Sequence, residues 1–163
     1  MKLKFILILS IFLLSVSVHA QKNNYIGYKH KGVVYGDTLP NGAKDMGGGL
    51  LSSGDYGITR FTKGNKYMLW LEKITERDRK GIPSLEVKDV LTFGKQSKNQ
   101  EFLFSYSSPC VLNGRNNLDL IVRTEFLPKT NKYKVLDAWK ANIKKERFEK
   151  ISTDKIKCEY VAP

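Results

Sequence analysis

"YKVLDAWKANIKKERFEKIS", Tyr133 to Ser152, decides the fold class of this chain. As a helix over about residues 134–151 it has good helix formers and no internal glycine or proline. Val135, Trp139 and Ile143 recur at four-residue spacing, but Phe148 falls off that stripe at about 100° per residue. As a hairpin, Tyr133, Val135, Trp139, Ala141 and Ile143 share one face. The turn then lies in Lys144-Lys145-Glu146, and the chain returns through Arg147 to Ser152. The hairpin is the preferred reading. The alternative is an α+β domain that keeps the C-terminal helix.

The segments upstream favour the hairpin. "YGITRF" and "KYMLWLEKIT" flank Thr62-Lys63-Gly64-Asn65, which is hairpin-turn chemistry. Tyr67, Leu69 and Leu71 point one way, and Met68, Trp70 and Ile74 the other, with Glu72 interrupting. Both faces are apolar, as in a central strand. "LEVKDVLTF" puts Leu85, Val87, Leu91 and Phe93 on one face, with Asp89 as the exception. Phe102, Phe104 and Tyr106 share a face in "EFLFSYSS". Leu118, Leu120 and Val122 do so after the turn "NGRNN", and Pro128 sits in the next turn. Tyr25, Ile26 and Tyr28 suggest a short strand; Val33, Val34 and Tyr35 suggest another. Short strands separated by turn signals predict a mainly β domain, an antiparallel sandwich or bent sheet.

Between the early strands lies "GDTLPNGAKDMGGGLLSSGDYG", Gly36 to Gly57, with seven glycines in 22 residues. Such punctuation predicts a long glycine-rich loop. It is not a phosphate-binding loop. Gly49 is followed by Gly54, but Asp55 and Tyr56 stand where lysine and serine or threonine belong. The dinucleotide spacing G-x-G-x-x-G is also missing.

Residues 1–20 read as an address. Lys2 and Lys4 precede an apolar run, Phe5 to Leu14, and Val18-His19-Ala20 suits signal peptidase, with cleavage between Ala20 and Gln21. The run is shorter than the roughly 20 apolar residues of a membrane anchor. No lipoprotein cysteine follows it, and no Arg-Arg pair precedes it. Residues 21–163 then form one exported domain, periplasmic or secreted and not integral to the membrane.

The full chain carries 28 Lys and Arg against 16 Asp and Glu; without Lys2 and Lys4 the balance is still about +10. Such a charge favours anionic partners. The basic residues are scattered, with no run of six like charges and no specific nucleic-acid motif. Nothing specifies an oligomer. The two cysteines, Cys110 and Cys158, are read as a disulfide in an exported protein. It closes a loop of about 49 residues, worth about 4 kcal/mol in the chain-entropy model. The competing reading is a reactive thiol at Cys110 activated by His30.

Catalytic and metal motifs are sparse. His30 is the one histidine beyond Ala20, so no H-x-x-x-H or C-x-x-C metal spacing exists. Asp37 to Asp45 lacks the order of a calcium loop. No cofactor motif is present. There is no G-x-S-x-G elbow, and Ser52, Ser53 and Ser107 occur in turn-like contexts. Paired carboxylates for a hydrolase would come from Glu72, Glu76, Asp78, Glu86 and Asp89. The remaining signal is aromatic and basic. Tyr25, Tyr28, Lys29, Lys31, Tyr35, Tyr56 and Arg60, with Lys22 nearby, form a candidate ligand surface, since such residues stack on sugars or bases and pair with anions. The same residues would equally serve as core packing.

The end "AWKANIKKERFEKISTDKIKC", Ala138 to Cys158, with "YSSPC" before it, resembles the C-terminal part of small uncharacterised exported bacterial proteins. In these, an Ala-Trp strand, a turn, a second strand and a late cysteine close the domain. The resemblance implies the hairpin and imports no activity. The expectation is a non-catalytic exported binding protein of the cell envelope, recognising an anionic ligand or polymer. The alternatives are a protein-binding inhibitor or immunity-type factor, and a carboxylate-dependent hydrolase.

Overall fold

A computed structural model describes residues 24–104 and 108–160. The expected leader with Ala20 and Gln21, together with Lys22, Tyr106 and Ser107, lies outside the described residues. Among these, twelve strands occur in chain order and no helix: β1 (Lys29–Lys31), β2 (Lys44–Leu50), β3 (Tyr56–Lys63), β4 (Lys66–Arg77), β5 (Pro83–Phe93), β6 (Gln100–Phe104), β7 (Cys110–Leu112), β8 (Arg115–Asn116), β9 (Leu120–Leu127), β10 (Lys132–Asn142), β11 (Arg147–Ile151) and β12 (Ile156–Cys158). Every pairing is antiparallel. The sheets run β1-β5-β4-β3-β2, β11-β10-β9-β6 and β12-β7-β8.

The deciding segment is a hairpin. Ala141 pairs with Phe148 and Asn142 with Arg147 across a turn of residues 143–146. A helix there would have driven Phe148 off the apolar stripe. The hairpin buries it beside Trp139 in the layer between the four- and five-stranded sheets. That layer also holds Ile58, Leu69, Leu71, Phe102, Phe104 and Ile121.

Both main sheets are buried on their outer faces too. Phe61, Met68, Trp70 and Val87 lie under Leu39, Ala43, Tyr25 and Tyr28 from the N-terminal segment. Leu120, Val122 and Ala138 lie under Cys110 and Ile156 of the three-stranded sheet. The Cys110–Cys158 disulfide, 48 residues apart in sequence, ties β7 to β12 and holds that cover on. Burial on both faces is why β4 is apolar on both sides.

Several expectations need correction. The segment Gly36–Gly57 is not one long loop, because Lys44–Leu50 forms edge strand β2. Glycine has poor β propensity, but here β3 supplies the partner backbone: Gly48 pairs with Thr59 and Gly49 with Ile58. A bulge between Asp45 and Gly48 uses Gly47 at φ 80°, and a Cβ on Gly48 would sit 2.3 Å from the Ile58 carbonyl oxygen. Tyr25–Gly27 is a turn and Val33–Tyr35 is not a strand; the strand in that region is Lys29–Lys31, paired with Ser84–Glu86. Leu85, Val87 and Leu91 do not share one face. A bulge between Leu71 and Glu72 on one side and Asp89 and Val87 on the other leaves Lys88 extra. Val87 therefore joins the outer core, while Leu91 and Phe93 join the inner one. A bulge at Leu136 likewise sends Val135 to the outer core and Trp139 to the inner one.

Asp89 turns out to be a link between sheets. Its carboxylate accepts the Phe148 N–H at 2.7 Å and the Val90 N–H at 2.8 Å. The five-stranded sheet thus supplies an acceptor to edge strand β11.

Candidate functional site

Antiparallel topology places three connections at one end of the paired sheets. Lys63 pairs with Lys66 across the two-residue turn Gly64-Asn65, where Gly64 takes φ 56°. Beside that turn, Tyr67 pairs with Phe93 at the end of β5. Residues 94–99 then cross to the second sheet. There the Phe126 N–H donates to the Asn99 carbonyl at 2.8 Å, and Gln100 pairs with Glu125. Lys132 pairs with Leu127 around the turn of residues 128–131. Ring contacts hold the two sheets together at this end: Phe102 lies 5.0 Å from Tyr67 and 4.7 Å from Phe93.

Each connection carries two exposed lysines: Lys63 and Lys66, Lys95 and Lys98, Lys129 and Lys132. None of the three loops contains an acidic residue. Lys63 donates to the Asn41 carbonyl at 2.6 Å, and none of the six takes part in an ion pair among the described residues. The opposite end is different. There Glu146 accepts from Tyr56 Oη at 2.7 Å and meets Lys88 at 3.3 Å and Lys73 at 3.7 Å. Three lysine pairs thus cluster in the loops of one end, while Glu146 offsets Lys73 and Lys88 at the other.

The sequence-derived surface does not gather into one patch. Tyr25 and Tyr28 pack on Trp70, at 4.9 and 6.1 Å between ring centroids. Tyr56 is buried on the inner face, and burial together with the Glu146 hydrogen bond raises its pKa to about 12. Lys29 and Lys31 are exposed on β1. Tyr35 and Arg60 come together around Gly47, away from the others: a Cβ there would lie 3.4 Å from Tyr35 Cδ2 and 3.3 Å from Arg60 Nη2.

Two candidate chemical groups have structural partners. His30 Nδ1 lies 2.8 Å from the Lys31 carbonyl and Nε2 lies 2.7 Å from Glu72 Oε1. With Glu72 ionised both neighbours are acceptors, an arrangement that favours the doubly donating imidazolium. Burial pushes the His30 pKa down, but the hydrogen bond and charge of Glu72 and the Lys31 carbonyl outweigh it and hold the pKa above its usual value. Glu72 is 1% exposed, and its other oxygen accepts from Thr59 Oγ1 at 2.5 Å. Glu72 faces the outer core and Asp89 the inner one, so the two carboxylates do not flank a common space. Cys110 is disulfide-bonded, not a thiol. Among the described residues no group of three or more His, Cys, Asp or Glu is placed to hold a metal ion, and no helix is long and apolar enough to cross a membrane.

No family model, curated protein or solved structure matches this chain.

Proposed function

We propose that this is an exported, non-catalytic binding protein of the cell envelope that recognises an anionic polymer or surface through its lysine-bearing end. One observation carries the reading: six exposed lysines in three adjacent loops, with no acidic residue among them. Like charges so placed repel one another unless a partner neutralises them. All six are lysines, and lysine acts as a mobile point charge, not as the planar fork that reads one phosphate or carboxylate. That suits a repeating or spread anion better than a single small one.

Export is supported by the leader-like first twenty residues and by the disulfide, which persists in oxidising compartments. The non-catalytic reading is supported by the occupation of the best chemical groups. His30 has no free ring nitrogen to act as a base, Glu72 is buried and saturated, and Asp89 holds a backbone N–H.

The test is binding of residues 21–163 to long-chain polyphosphate across a salt series. Binding should weaken steeply between about 50 and 300 mM salt, as the screening length shrinks. Binding that ignores salt, or none at low salt, would refute the proposal.

A further inference from the structure

A second site lies at the other end of the five-stranded sheet, on its outer face, and does not depend on the lysine end. A groove of about 450 Å³ opens there, within the size range of small-molecule sites. Its floor is glycine backbone from neighbouring strands, Gly47 to Gly49 on β2 and Gly57 on β3. With no side chains there, the sheet face is recessed by about one side-chain layer. The apolar wall is Ile74, Leu85, Pro83 and Val33.

Tyr35 stands at the rim, 69% exposed. The loop carrying it is fastened to β2: the Gly36 N–H donates to the Asp45 carbonyl at 3.0 Å, and the Asp45 N–H to the Asp37 carbonyl at 2.8 Å. The ring is thus exposed yet mounted on a fixed support.

Asp45 and Glu72 line the back of the groove, and both are buried. Their charges are offset locally. His30 pairs with Glu72, Arg60 donates to the Gly47 carbonyl close to Asp45, and Arg77 stands at the groove. A buried ion pair adds little to stability compared with an apolar pair of the same volume. Its retention beneath an open groove is unexplained by folding alone. A near-neutral groove that combines acceptors, an apolar wall and an exposed aromatic ring suits a neutral ligand with one apolar face and several hydroxyl groups. Free anions meet two carboxylates there, and free cations meet the Arg77 guanidinium. We propose that this groove binds one or two rings of a neutral sugar chain, with Tyr35 against the apolar face of a ring and the hydroxyls meeting Arg77 and the backbone of the glycine floor.

The test is an amide-shift NMR titration of residues 21–163 with maltotriose and with the N-acetylglucosamine trimer. At least one should bind in roughly the millimolar range and shift Gly47, Gly48, Gly49 and Gly57. Tyr35→Ala removes an exposed ring and leaves the fold intact. It should weaken the sugar about fivefold or more, while polyphosphate binding stays unchanged. Replacing the six loop lysines by glutamine should do the reverse, so failure of one site is distinct from failure of the other. No shift at about 10 mM of either trisaccharide would overturn the inference. So would shifts outside the groove, affinity indifferent to Tyr35→Ala, or tighter binding of adenosine in the same place.

Discussion

Glu72→Gln removes the charge that keeps His30 protonated while preserving shape. In the native protein Glu72 is 1% exposed, lies 2.7 Å from His30 Nε2 and accepts from Thr59 at 2.5 Å. Near pH 6 the substitution leaves a buried imidazolium without its counter-charge, and stability should fall by about 3 kcal/mol. That lowers the melting temperature by roughly 10 °C for a domain of this size. The pH dependence is the sharper signature. The native His30 pKa is raised, so its contribution is fully present below the unfolded-state value. It is lost as pH rises through the folded-state value. In the variant burial is opposed only by the Lys31 carbonyl and the Asp45 charge, so the folded pKa falls and stability is instead lost in acid. The deficit should therefore shrink at pH 8.5 to about 1 kcal/mol, since the new amide oxygen can still accept from Thr59 and its N–H can donate to a neutral imidazole. Urea unfolding followed by tryptophan fluorescence measures this directly, since the Trp70 and His30 ring centroids lie 5.9 Å apart. A deficit that is constant with pH, or larger at pH 8.5, would refute the charged pair.

Three further outcomes follow from the packing. Denatured, unreduced protein should titrate with no free thiol, and replacing Cys110 and Cys158 by alanine should cost roughly 4 kcal/mol and release β12 from β7 first, read by hydrogen exchange. Asp89→Ala leaves the Phe148 N–H without its acceptor between the sheets and should cost about 1–3 kcal/mol in urea unfolding; a neutral result would mean the link is incidental. Gly48→Ala places a Cβ 2.3 Å from the Ile58 carbonyl oxygen and should destabilise by at least about 2 kcal/mol, whereas Gly54→Ala, with open space around it but φ 75°, should cost about 1 kcal/mol.

Much of the fold was legible where alternation was unbroken. Tyr67 to Leu71 show two apolar faces, and β4 is a central strand between β3 and β5. The hairpin at Tyr133–Ser152 was legible because Phe148 fits only that reading, and the disulfide because two cysteines allow one bridge. What failed did so for definite causes. A one-residue bulge reverses the faces beyond it, so Val87 and Val135 were assigned to the wrong layer. Gly47 to Gly49 signal a loop in isolation, yet an edge strand needs only a partner's backbone, which β3 supplies. The lysine end was illegible for a different reason. Its pairs, Lys63 and Lys66, Lys95 and Lys98, Lys129 and Lys132, are separated by about thirty residues and look scattered. Only the antiparallel order of strands brings their loops to one end. The tyrosine-lysine surface dissolved because Tyr25, Tyr28 and Tyr56 were recruited as packing.

The central claim is that position, not total charge, makes this protein a polyanion binder. Two variants of residues 21–163 separate these. One replaces Lys63, Lys66, Lys95, Lys98, Lys129 and Lys132 by glutamine. The other replaces Lys29, Lys31, Lys80, Lys140, Lys155 and Lys157, all exposed and outside the three loops. Both lose the same net charge. Polyphosphate affinity at one fixed salt concentration should fall at least about 100-fold in the first, from roughly 0.5 kcal/mol per lysine, and less than about fivefold in the second. Equal losses in the two variants would contradict the account.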